Sequence, residues 1–156
     1  MSILVKEDYA NPATPLWLSS GTTIPAVPVV VDAGGNGIVQ SFSATVLQLL
    51  IQKGFTAPSN GTLVVNASIN FGNTASSAGQ YIARVEDVLS GGATQHLVSL
   101  GAGNVTAQYG TGTPLLALTL TAGQAVTLEL RASASNGLAS PAPTYKWDWN
   151  VVFYPA

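Results

Sequence analysis

Lys53-Gly-Phe-Thr-Ala-Pro-Ser-Asn-Gly-Thr-Leu-Val-Val-Asn-Ala-Ser-Ile-Asn-Phe71 decides how the chain is read. Pro58 has a fixed φ and no amide donor, and Asn60-Gly61 tolerates positive φ, so Ala57 to Gly61 is expected to turn. After the turn, Leu63, Val65, Ala67, Ile69 and Phe71 point one way, and Val64, Asn66, Ser68 and Asn70 the other. Strict alternation over nine residues predicts a strand with one buried and one mostly wet face.

The residues Gly54, Phe55, Thr56, Ala57, Pro58 and Gly61 carry a resemblance to the globular heads of the tumour-necrosis-factor and complement-component superfamily. There a Phe-Thr-Ala-Pro turn and a glycine lead into a central strand. Leu63 and Val65 stand where that family usually has aromatic residues. The resemblance, from Gly54 onward, implies a ten-stranded jelly roll that assembles as a trimer. Similar heads occur on phage and other virus particles and on bacterial spore surfaces.

Working outward, the pattern stays β-like. Val29 to Val31 reads as a short strand and Asp32-Ala-Gly-Gly-Asn-Gly37 as a turn. That turn lacks the Lys-Ser/Thr and helix start of a phosphate cradle. Ser43 to Lys53 has two readings. Val46, Leu47, Leu49 and Leu50 fit one helical face with Gly54 as its cap, whereas the resemblance implies a strand, the reading preferred here. Gly72 to Gly79 is a small-residue loop. Tyr81 to Leu89 alternates, with Asp87 interrupting its apolar face; Ser90-Gly-Gly-Ala turns, and Gln95 to Leu100 returns. Gly101 to Thr113 is expected as a Gly/Thr-rich loop.

Pro114 to Leu120, the turn Thr121-Ala-Gly-Gln124 and Ala125 to Arg131 form a hairpin similar to the penultimate one of that superfamily. Gln124 stands where the family turn usually has Asp, which removes a carboxylate from any metal-ligand idea there. Ser133 to Thr144 is a loop. Tyr145-Lys-Trp-Asp-Trp-Asn-Val-Val-Phe-Tyr154 is the last strand, with Tyr145, Trp147, Trp149, Val151 and Phe153 on one face. About eight strands every eight to twelve residues, and no convincing helix, predict an all-β chain: a single jelly-roll sandwich of eight to ten antiparallel strands over 29–156. Residues 1–28, with Pro12, Pro15, Pro25 and Pro28, read as an extended arm anchored by Trp17.

Only 8% of the residues are charged against 47% hydrophobic, about a third of the usual charged share of ~25%. So few charges protect a lone monomer poorly, and point to a surface covered by other copies or other coat proteins. Five scattered basic residues and a net charge of −2 exclude a nucleic-acid footprint. There is no cysteine, hence no disulfide framework. No apolar run is long enough for a signal-peptide core or a membrane span, so synthesis in a cytoplasm is expected. The glycosylation triplets at Asn60, Asn66 and Asn104 matter only in a secreted chain.

No catalytic, cofactor or metal residues are nominated. His96, the single histidine, lies in an expected strand with no Gly-x-Ser-x-Gly elbow in the chain and reads as a surface or satisfied-core histidine. Glu86 and Asp87 are adjacent in a strand and face opposite ways, wrong for a carboxylate pair; a cross-strand ion pair with Arg84 or Arg131 fits better. Phe55, Phe71, Tyr81, Trp147, Trp149 and Phe153 are expected in the core. Trp17, Tyr154, Lys146 and Asp148 are the candidate interface residues. The expected function is that of a structural virion protein, a self-assembling subunit such as a minor capsid, penton or decoration protein. A homotrimer is favoured over a pentamer. The alternative is a trimeric receptor- or glycan-binding head of a fibre or appendage.

Overall fold

Alternation of small apolar and polar residues becomes a long central strand, flanked by others of the same period. The computed structural model describes residues 27–103 and 106–156, so Trp17 and nearly all of the arm lie outside the described residues. Ten strands follow in order: β1 (Val29–Gly35), β2 (Gln40–Ser41), β3 (Gln48–Thr56), β4 (Gly61–Asn73), β5 (Gly79–Asp87), β6 (Ala93–Leu100), β7 (Gln108–Gly112), β8 (Leu115–Leu120), β9 (Ala125–Ala134) and β10 (Thr144–Pro155). The described residues contain no helix.

One sheet has the order β1-β10-β4, with β7 and β8 sharing the far side of β4; β2 adds to the start of β10. The second runs β3-β9-β5-β6. The chain crosses between sheets from β2 to β3, β3 to β4, β4 to β5, β6 to β7, β8 to β9 and β9 to β10, and all pairings are antiparallel. That connectivity is a jelly roll.

The inner faces meet as the alternation requires. Leu63, Val65, Ile69 and Phe71 of β4 are buried with Tyr81 and Val85 of β5, Leu128 and Leu130 of β9, and Val151 and Phe153 of β10. Trp147 and Trp149 are buried too. Phe55 is only half-buried, because β3 is an edge strand of its sheet; its ring still packs on Phe153 at 5.4 Å between centroids.

Several local expectations are trimmed or corrected. Ser43 to Lys53 holds a strand, the preferred reading, but the strand starts only at Gln48. A bulge between Leu49 and Ile51 lets the consecutive Leu50 and Ile51 both reach the core, which breaks the period-2 pattern. Asp32 to Gly35 does not turn but continues β1 past a bulge between Val30 and Asp32. Gly101 to Thr113 is not all loop, because β7 occupies Gln108–Gly112. The inward positions of β7 are glycines because the sheets converge there. A Cβ on Gly110 would lie 2.6 Å from Val98, and one on Gly112 2.6 Å from Ala83. Gly61 is not needed for positive φ, which belongs to Gly37, Gly91 and Gly123. A Cβ on Gly61 would meet the Tyr154 carbonyl oxygen at 2.4 Å and the Phe153 ring at 2.6 Å.

Candidate interaction face

The two outer faces of the sandwich differ in charge. Across the second sheet, Arg84 pairs with Glu86 at 2.6 Å, Arg131 with Glu86 at 2.8 Å and with Glu129 at 2.5 Å. Gln52 donates to Glu129 at 2.6 Å. Register explains the set, since Gln52, Glu129 and Glu86 lie in one cross-strand row, with Arg131 and Arg84 in the row beside it. Glu86 thus pairs with both arginines offered by the sequence. This face carries an ion-paired network in which Glu129 is buried.

The outer face of the first sheet is built from the residues that alternate with the core. Near the end where β10 finishes, Val30, Val152, Val64 and Ala117 stand in register across β1, β10, β4 and β8. All four are exposed or half-buried, Val30 at 63%. The adjoining row is Tyr154, Thr62 and Thr119. On the other side Asn150, Asn66 and the exposed Leu115 follow, then Asp148 and Ser68, then Lys146, Asn70 and Thr111. The face is therefore divided along its strands: uncharged and apolar at one end, polar at the other.

A hollow of about 460 Å³ opens beyond the valine row, over Thr62 and between Tyr154, Thr119, Leu120 and Ala156. Its rim is held by backbone hydrogen bonds. The Ala57 N–H donates to the Gln124 carbonyl at 2.9 Å, and the Gly123 N–H to the Ala57 carbonyl at 2.8 Å. Asn60 accepts from the Ala122 N–H through Oδ1 and from the Ala156 N–H through its carbonyl, both at 2.9 Å. Gln124 accepts from the Thr121 N–H at 3.1 Å, so it caps the turn. The Phe-Thr-Ala-Pro turn and the Thr121–Gln124 turn form one rigid edge.

The interface candidates Tyr154, Asp148 and Lys146 share this face but not one spot. Eight residues of strand separate Tyr154 from Lys146, about 27 Å. Tyr154 is 45% exposed beside the hollow. Asp148 is exposed over Gly35, whose Cβ would lie 2.4 Å from its carboxylate. Lys146 lines a second hollow of about 250 Å³ with Val39, Gly72, Thr144 and Tyr109, the last 77% exposed. The valine row is not legible in the sequence. Val64 and Val152 each appear there as single apolar residues on a wet face, and nothing local joins them.

The chemistry-bearing side chains are occupied structurally. His96 is exposed and accepts from the Thr113 N–H through Nδ1 at 3.0 Å. Among the described residues, no three His, Cys, Asp or Glu side chains come together, and no helix is long and apolar enough to cross a membrane. Tyr81 donates to Asn136 Oδ1 at 3.1 Å. Burial raises its hydroxyl pKa above the ordinary value, and the Asn136 hydrogen bond only partly opposes this. Asn136 donates in turn to Asn73 Oδ1 at 3.2 Å, and the fully buried Asn73 donates to the carbonyls of Ser77 and Gly101 at 2.9 and 2.6 Å. This network ties together the loops at the end of the sandwich opposite the 460 Å³ hollow.

Asp87, the residue interrupting an apolar face, is buried. Its Oδ1 accepts from the N–H groups of Leu89 and Thr127 at 3.2 and 2.9 Å, and Oδ2 from that of Ser90 at 3.1 Å. Burial alone would raise its pKa, but these bonds and the Ser90 hydroxyl outweigh it and hold the carboxyl below 3.8. A depressed pKa contributes stability that is complete above the unfolded value of about 3.9 and is lost as pH falls through the folded one. Asp87→Asn turns an amide group toward backbone donors, so a loss of about 1–3 kcal/mol at pH 7 is expected. Below about pH 4 the wild-type advantage should shrink. Urea unfolding of both proteins at pH 7 and pH 3 checks this; an equal gap at both pH values would contradict it.

No family model matches the chain, and no curated protein matches it. Among solved structures it is similar to a chain of T=1 particles derived from infectious bursal virus, at 10% identity and a TM-score of 0.22. The match covers 82% of this chain and 38% of that one, so this chain spans well under half of the other's length. At that TM-score the likeness carries no argument, and the jelly-roll assignment rests on the strand order.

Proposed function

We propose that the protein is a non-catalytic, self-assembling jelly-roll subunit of a virus particle, a minor capsid, penton or decoration protein. The observation that carries this reading is the uncharged apolar row, four strands wide, on the outer face of the first sheet. A face of that kind is left wet at a cost, and burying it against another copy removes apolar area from water at roughly 25 cal/mol per Å². The low charge of the whole chain supports the same reading, as does the contrast with the ion-paired second sheet. The similarity of the Gly54–Gly61 turn to trimeric heads favours a homotrimer, in contact with other coat proteins. Neither nucleic acid nor a cofactor has a role in this reading.

Light scattering of the purified chain over a concentration and salt series tests it. A stable trimer, or growth into particles visible by electron microscopy, is expected. A monomer at every concentration would overturn self-assembly.

A second reading, a receptor- or glycan-binding head, has its own observation. The exposed Tyr109 lines a hollow together with Asn70, Thr144 and Lys146. An aromatic ring beside hydrogen-bonding side chains suits a sugar. A monomer in light scattering would leave glycan binding open but not the trimeric form of such a head.

A further inference from the structure

The valine row and its neighbouring hollow have an occupant within the chain's own sequence. We propose that the Leu16-Trp17-Leu18 segment of a neighbouring copy seats on this face, with the Trp17 indole in the hollow beside Tyr154. The inference rests on the self-assembly reading and names its contact.

The hollow is open, about 460 Å³, and floored by Thr62 and Leu120. Its rim is fixed by the backbone bonds at Ala57, Asn60 and Gly123, so little ordering is needed when a side chain enters. No side chain lining it is charged, and neither is any side chain of the valine row or of 9–31. Docking therefore removes no charged side chain from water. Tryptophan is the side chain most often found as the buried anchor of such a contact.

The position of the arm supplies the partner. The chain enters the described structure at Val27, and Val29 pairs with Phe153, which brings Pro28 beside Tyr154 at the edge of the patch. Pro25 and Pro28 disfavour helical backbone at Ile24 and Val27. Extended chain covers about 3.3 Å per residue. Ten residues separate Trp17 from Val27, and extended they reach about 33 Å, enough to lie across an adjacent copy.

The absence of cysteine makes the test direct. Full-length Trp17→Cys, isotopically labelled, is mixed with unlabelled full-length Thr119→Cys under assembling conditions and oxidised. Light scattering of the unmodified chain runs in parallel. The expected result is a disulfide between labelled position 17 and unlabelled position 119, read by peptide mass spectrometry. Pairing Trp17→Cys with Gln95→Cys, exposed on the second sheet, should give none. Thr62→Cys serves as a second site should Thr119→Cys assemble poorly. In the double variant Trp17→Cys/Thr119→Cys, a bond formed only within one chain would overturn the exchange and assign the patch to the subunit's own arm. Assemblies that form no bond between 17 and either site would overturn the inference while leaving self-assembly standing. A monomeric unmodified chain would overturn self-assembly itself, whatever the disulfides show.

Discussion

Phe71→Ala is expected to lower the stability of the folded chain by about 3–5 kcal/mol, the range for removing a buried phenyl ring. Phe71 is 1% exposed and sits in an aromatic cluster, its ring centroid 5.2 Å from Tyr81 and 6.2 Å from Phe42, with Phe42 4.7 Å from Tyr145. The cluster joins β4 and β10 of one sheet to β5 of the other, so the loss falls between sheets. Little can move in to fill the space, because the β7 positions beside it are glycines: Gly110 is its register partner, and a Cβ on Gly112 would lie 3.3 Å from the ring. Against a typical total of about 5–15 kcal/mol, this is a large share. Denaturant unfolding should show a lower midpoint at an unchanged slope. A loss under about 1 kcal/mol would mean that the cluster closes over the gap and is not the rigid centre described here.

Val152→Asp is expected to abolish assembly while leaving the sandwich folded. Val152 lies between Val30 and Val64 in the outward row and is half-buried in the free subunit, where a carboxylate keeps its water. In a closed contact the same carboxylate would be buried without a partner, at a cost of about 3–5 kcal/mol, which corresponds to a 100- to 1,000-fold or greater loss of affinity. Val152→Thr, of the same shape and β-propensity, should assemble more nearly as wild type does. Circular dichroism checks the fold, and light scattering the mass. An unchanged assembly in Val152→Asp would place the contact elsewhere, with the ion-paired face of the second sheet the next surface to probe.

The all-β class and much of the core were legible because both follow from local rules. A strand's side chains alternate with period two whatever lies beside it, so Leu63 to Phe71 and Tyr145 to Phe153 declared their inner faces without knowledge of a partner. Turn residues acted equally locally, as at Ser90 to Ala93 and Thr121 to Gln124. Where the local pattern failed, tertiary contact was the cause. The bulge in β3 brought two consecutive residues inward, and the glycines of β7 looked like a loop because their reason is the approach of the opposite sheet. Gly61 was correctly singled out for the wrong cause: the Tyr154 carbonyl, ninety-odd residues away in the chain, excludes a side chain there. Asp87 could be seen to break an apolar face, but its three backbone donors come from a turn and from a different strand.

By itself the sequence determined which residues could be buried, where the chain would turn, and that so sparse a charge content suits a covered surface. Only the tertiary structure decided which apolar residues gather on one outer face. Val30, Val64, Ala117 and Val152 lie on four strands far apart in sequence, and each alone is an unremarkable apolar residue on a wet face. Strand register, set by hydrogen bonds between backbones and by the packing of the opposite face, brings them into one row.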